Sequence, residues 1–177
     1  YLLGDDYSPF DLLYWNSDTS NLPAKWHLQY LRELYRDNKL VKKGGVKIAG
    51  VALDLRKINT ACYIQAGVED HIAPALSVWQ AMHYLNGEKM FVLAGSGHIA
   101  GVINPPAANK YQYWTNDQVV ETLEEFRLGA VEHQGSWWPH WREWIKQHSG
   151  GEVAARKVGG NGYNALEDAP GSYVKSR

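Results

Sequence analysis

Two residues in this chain have types and surroundings suited to moving a proton. Asp70 comes after the apolar run Cys62-Tyr63-Ile64, in the string Gly67-Val68-Glu69-Asp70-His71. His98 comes after a second apolar run, Met90-Phe91-Val92-Leu93, in the string Gly95-Ser96-Gly97-His98. A neutral histidine can take a proton from a hydroxyl or thiol. A carboxylate on its other ring nitrogen fixes the tautomer and stabilises the imidazolium that forms. The pair works only on rigidly held loops, because a displacement of about 1 Å can cost roughly a hundredfold in rate. The elements that must hold them are legible. Each apolar run is rich in strand-forming residues and stops at glycine, and Pro74–Leu85 between them predicts a helix. The unit reads strand, acid loop, helix, strand, histidine loop.

That order, acid before histidine with one helix and one strand between, matches the last two members of a nucleophile–Asp–His triad on an α/β-hydrolase sheet. The nucleophile should come earlier. Cys62 precedes Asp70 but has Thr60 and Ile64 two positions to either side, where a nucleophile elbow needs small residues, so it reads as an inert strand residue. Ser96 and Ser136 lack the flanking pattern as well. Blander readings exist for each residue. Asp70 could cap a helix or make an Asx-turn ahead of Pro74, and His98 could be a solvated loop histidine. A metal site from Glu69, Asp70, His71 and His98 matches no established ligand spacing, and no metal is expected. His133, His140 and His148 read as surface histidines. Trp137, Trp138, Trp141 and Trp144 could form a stacking platform for a sugar or polymer, or a helix face closing a core.

At 177 residues the chain is one domain's worth, able to bury a core. A net charge of −1 points away from nucleic acid and from a polybasic membrane anchor. One cysteine excludes an internal disulfide and fits a reducing compartment. No stretch is long enough to span a bilayer, and no signal peptide is evident. The opening Tyr1-Leu2-Leu3-Gly4 reads like mid-protein sequence. With 8 Trp and 11 Tyr against 3 Phe, the aromatics favour types that suit interfaces and half-wet pockets. Further elements are expected as a helix from Pro23 to about Lys39, a small hairpin over Val46–Leu55, a charged helix over roughly Asp117–Glu132, a short helix from Pro139 to His148, and an extended tail from Gly150. The division expected is 1–45 as a cap or lid remnant and linker, 46–150 as part of a catalytic domain, and 151–177 as tail.

Several strings carry a resemblance, and two of them, Ser96-Gly97-His98-Ile99-Ala100-Gly101 and Trp137-Trp138-Pro139, are far more specific than a generic hydrolase pattern. The full set is Phe10-Asp11-Leu12-Leu13-Tyr14-Trp15-Asn16, Glu69-Asp70-His71-Ile72, Ser96-Gly97-His98-Ile99-Ala100-Gly101-Val102-Ile103-Asn104-Pro105-Pro106, Tyr113-Trp114-Thr115-Asn116, Gly135-Ser136-Trp137-Trp138-Pro139 and Pro170-Gly171-Ser172-Tyr173-Val174-Lys175. Together they resemble the carboxyl-terminal part of poly(3-hydroxyalkanoate) synthases, of the single-subunit type that prefers short-chain monomers. The resemblance implies an α/β class chain, the last core strands, flanking helices and cap remnant of an α/β-hydrolase fold, with an incomplete sheet and an exposed edge. It implies an acyltransferase that polymerises (R)-3-hydroxyacyl-coenzyme A and releases coenzyme A as part of the substrate, with no separate cofactor. It also implies a cytoplasmic enzyme at the surface of polyester granules, with granule-associated proteins as partners and a homodimer as the full-length form. A cysteine elbow absent from this chain would attack the thioester, and His98 would activate that thiol. Asp70 would orient His98 or help activate the incoming 3-hydroxyl. Trp15 would line the pocket, and His71 would give structural support. The rivals are a serine esterase or polyester depolymerase and a non-catalytic, Trp-rich polymer- or granule-binding module. As a fragment, the chain alone is expected to be inactive.

Overall fold

The structure, a computed structural model, describes residues 17, 19–160 and 162–172. Trp15, the rest of the Phe10–Asn16 string and Tyr173-Val174-Lys175 lie outside the described residues. The chain divides into two units, Tyr1–Trp137 and Trp138–Arg177.

The first unit holds the expected strand pair. β3 (Cys62–Gly67) runs parallel to β4 (Lys89–Ala94), with Cys62 opposite Lys89 and Gly67 opposite Ala94. Ahead of them, α1 (Ala24–Tyr30) opens after Pro23, and β1 (Lys47–Ile48) pairs with β2 (Val51–Ala52) in a small hairpin. Its two turn residues, Ala49 and Gly50, both have positive φ (48° and 81°), the twist that a two-residue hairpin turn requires. The helix expected to reach Lys39 leaves α geometry at Tyr30. Leu31–Arg36 continues as a wider π-type turn, and Asn38 at φ 44° ends it. The crossover between β3 and β4 is two short helices, α2 (Ala75–Trp79) and α3 (Ala81–Tyr84). Bonds of three-residue span, from Gln80 N–H to the Ser77 carbonyl and from His83 N–H to the Gln80 carbonyl, divide what one helix was expected to cover.

Two further strands extend the sheet where the sequence suggested loop and helix. β5 (Gln112–Thr115) pairs antiparallel with β4, and β6 (Val131–Gln134) pairs antiparallel with β5, giving the order β3-β4-β5-β6. The helix expected over Asp117–Glu132 is therefore corrected to α4 (Leu123–Leu128). A reciprocal cap starts it: Glu125 N–H donates to Thr122 Oγ1, and Thr122 N–H donates to the Glu125 carboxylate. Gly129 ends it. The fold class is thus α/β with a mixed four-stranded sheet. One face is sealed by Ala66, Phe91 and Leu93 from the sheet, Ala75 and Trp79 from α2, and Leu123 and Phe126 from α4. The rings of Trp79, Phe91 and Phe126 meet with centroids 4.8–5.6 Å apart, and Trp79 Nε1–H is satisfied by the Glu121 carbonyl.

In the second unit, α5 (Trp138–Gln147) starts one residue before Pro139. No helix or strand follows it among the described residues. Among the described residues no helix is long and apolar enough to cross a membrane.

Candidate active site

Parallel pairing puts the carboxyl ends of β3 and β4 side by side, so the loops that leave them are neighbours. Val68 N–H donates to the Ala94 carbonyl and Glu69 N–H to the Ser96 carbonyl, which ties the acid loop to the histidine loop. A Cβ on Gly67 would sit 3.0 Å from the Ser96 carbonyl oxygen, so glycine is what permits this approach. Asp70 Oδ2 then lies 2.8 Å from His98 Nδ1. An ionised carboxylate only accepts, so Nδ1 carries a proton, and in the neutral ring Nε2 is the acceptor. The other carboxylate oxygen, Oδ1, accepts the N–H groups of Ile72 (2.9 Å) and Ala73 (2.8 Å).

The Asp70 side chain is only 8% exposed, whereas that of His98 is 46% exposed. Burial alone would raise the Asp70 pKa. The bonds from Ala73, His98 and Ile72 outweigh it and hold the carboxyl below the usual value. Asp70 therefore stays charged, and the ring of His98 is accessible at Nε2. Val68 and Ile72, near Asp70 in sequence, and Ile99, Val102 and Ile103, which follow His98, are all exposed. Burial raises the phenols of Tyr63 and Tyr113, so neither supplies a phenolate at neutral pH.

Cys62 stands at the amino end of β3, with about 17 Å of strand between it and the loop that bears Asp70. Its thiol donates to the Thr60 carbonyl. It cannot reach His98. Among the described residues no three His, Cys, Asp or Glu side chains cluster to hold a metal. Glu69 and His71 are exposed, and the backbone N–H groups of Ile72 and Ala73 support Asp70. His133 corrects the expectation of a surface histidine. It is half-buried on β6, stacks on Tyr113 and shares a 2.9 Å hydrogen bond with Thr115. His148 is exposed, as expected, while His140 is half-buried. A cleft of ≈ 400 Å³ lined by Trp79, Met82, Phe91 and Phe126 opens near the amino end of β4, the end far from His98.

No family model matches the chain. It is 46% identical over 178 residues to the poly(3-hydroxyalkanoate) polymerase subunit PhaC of Cupriavidus necator and 49% identical over 177 residues to that of Rhizobium meliloti. The whole chain matches poly(3-hydroxyalkanoate) polymerases. A third relative, poly(3-hydroxyalkanoate) polymerase 1 of Ectopseudomonas oleovorans, is 35% identical over 178 residues. Each alignment covers 100% of this chain, and the chain spans about 30% of the length of these polymerases.

Beside Asp70 and His98, the structure brings in residues that the sequence reading did not assign to the site. Gly101 N–H donates to the Gly97 carbonyl, closing a turn around His98, and Trp137 Nε1–H donates to the Gly101 carbonyl. The Gly97–Gly101 spacing and the Trp-Trp-Pro string were visible, but no sequence signal joins two segments 36 positions apart.

Proposed function

We propose that this chain is the part of a poly(3-hydroxyalkanoate) polymerase that supplies the acid and the base of a Cys–His–Asp triad on an α/β-hydrolase fold. The observation that carries the reading is the 2.8 Å contact between Asp70 and His98 at the ends of adjacent parallel strands. Similarity to polymerases along the whole chain supports it. His98 Nε2 takes the proton of a cysteine thiol contributed from outside these 177 residues. The thiolate attacks the carbonyl of an (R)-3-hydroxyacyl-coenzyme A, the acyl–sulfur bond to coenzyme A breaks, and the proton passes from His98 to the departing thiolate. Asp70 keeps the imidazole in the required tautomer and stabilises its charged form. The same base then serves the 3-hydroxyl that accepts the growing chain. The exposed apolar side chains that flank Asp70 and His98 in sequence suit an acyl or polyester substrate. Trp15 is proposed to line that pocket. The whole enzyme is proposed to work as a cytoplasmic homodimer at the surface of polyester granules, with granule-associated proteins around it and no cofactor beyond the coenzyme A that it releases.

The test is a chimera in which this chain replaces the matching stretch of the Cupriavidus necator polymerase. Coenzyme A release from a short-chain (R)-3-hydroxyacyl-coenzyme A is expected from the chimera and not from the isolated chain. His98→Ala should cut it by about 10⁴-fold or more. Release by the isolated chain, abolished by His98→Ala, would refute the proposal.

A further inference from the structure

The turn that carries His98 has a support outside the acid–base pair. Its start is held by Gly95 N–H to the Gln112 carbonyl and by Glu69 N–H to the Ser96 carbonyl. Its far side closes on Gly101, whose N–H donates to the Gly97 carbonyl at 2.9 Å. A Cβ at Gly101 would lie 2.7 Å from that same carbonyl oxygen, so the turn cannot loosen there without changing shape. The Gly101 carbonyl is gripped in turn by Trp137 Nε1–H at 2.9 Å. The Trp137 ring stacks on Tyr63, with centroids 5.9 Å apart and planes 25° apart. Tyr63 belongs to β3, the strand that also delivers Asp70. The indole therefore references the histidine turn to the same strand that places the acid. His98 itself is half in solvent, so packing of its own ring does little to fix it.

We propose that Trp137 is a positioning residue for His98: its N–H and its stack on Tyr63 lock the Gly97–Gly101 turn where His98 Nδ1 meets Asp70 Oδ2. Trp137 acts through the turn, by way of the Gly101 carbonyl. The inference rests on the acid–base reading of that pair, and its test separates the two.

In the polymerase chimera, Trp137→Phe keeps an aromatic ring over Tyr63 and removes the N–H. The expected loss is about tenfold in kcat at unchanged KM, smaller than the roughly hundredfold of a 1 Å displacement. In an Asp70→Asn background the same change should cost less than twofold, because the geometry it protects no longer matters. Tyr63→Leu, which removes the stack and leaves the N–H, should show the same coupling with a smaller loss. Equal losses in both backgrounds, or no loss in either, would overturn the positioning role, since a merely structural tryptophan would act identically with and without Asp70. A chimera that stays active with His98→Ala would instead overturn the acid–base reading, and this inference with it.

Discussion

The acid loop and the histidine loop leave neighbouring strands, yet they are kept in place by different means. Asp70 is held by its own chain: the N–H groups of Ile72 and Ala73, two and three residues on, converge on Oδ1 in a side chain only 8% exposed. His98 is 46% exposed and depends on distant partners, with Asp70 on its ring, Gln112 behind Gly95 and Trp137 on Gly101. One half of the site is a local turn, and the other is a product of tertiary structure. The acid should therefore tolerate distant damage that the histidine does not.

The largest test removes the link between the loops. Asp70→Asn in the chimera should lower kcat by about 10⁴-fold, since the amide leaves His98 free to adopt the wrong tautomer. A loss under tenfold would mean that the tertiary supports of the histidine loop suffice without the acid. Next comes a pair of glycines in the histidine loop. Gly101→Ala should cost about ten- to a hundredfold in kcat by pushing the turn off the Gly97 carbonyl. Gly97→Ala, whose Cβ would meet nothing nearer than 3.6 Å, should cost far less. Equal costs would show that the turn is not braced at its far side.

A smaller effect sharpens the acid side of the comparison. The carboxyl of Asp70 is held below its ordinary value of 3.8, so its contribution to stability is complete above that value. It is lost as pH falls through the lower value of the folded state. The stability gap between wild type and Asp70→Asn, followed by urea unfolding, should be constant from neutral pH to about pH 5 and close below about pH 4. A gap that closes well above pH 5 would mean that the backbone donors do not hold the acid. The smallest change leaves both loops untouched. Thr122→Ala deletes the cap of α4 and should lower stability by about 1 kcal/mol in the same unfolding measurement, with kcat unchanged.

Legibility in the sequence followed locality. The runs at Cys62–Ile64 and Met90–Leu93 announced β3 and β4 because strand propensity and a terminal glycine are properties of short segments. The small hairpin expected over Val46–Leu55 was legible for the same reason. β5 and β6 were not announced. Val131–Gln134 carries a glutamate and a histidine in four residues, and only its pairing with Tyr113 and its neighbours makes it a strand. The charges from Asp117 to Glu132 looked like a helix, but Asn116 folds its own loop: its side chain accepts Gln118 N–H and donates to the Phe126 carbonyl, and α4 shrinks to six residues. His133 was misplaced because its partners, Tyr113 and Thr115, lie on another strand.

What the sequence determined by itself was the chemistry and its order: an acid, then a histidine, each just past a strand, in strings similar to polymerases, with no nucleophile elbow. These are statements about residue type and short-range spacing, which a chain carries whether folded or not. The tertiary structure decided the 2.8 Å meeting of Asp70 with His98 and the remoteness of Cys62. It also decided the bracing of the histidine turn by Trp137 on Tyr63. Those depend on parallel strand pairing and on contacts between segments dozens of residues apart, which exist only once the sheet has formed.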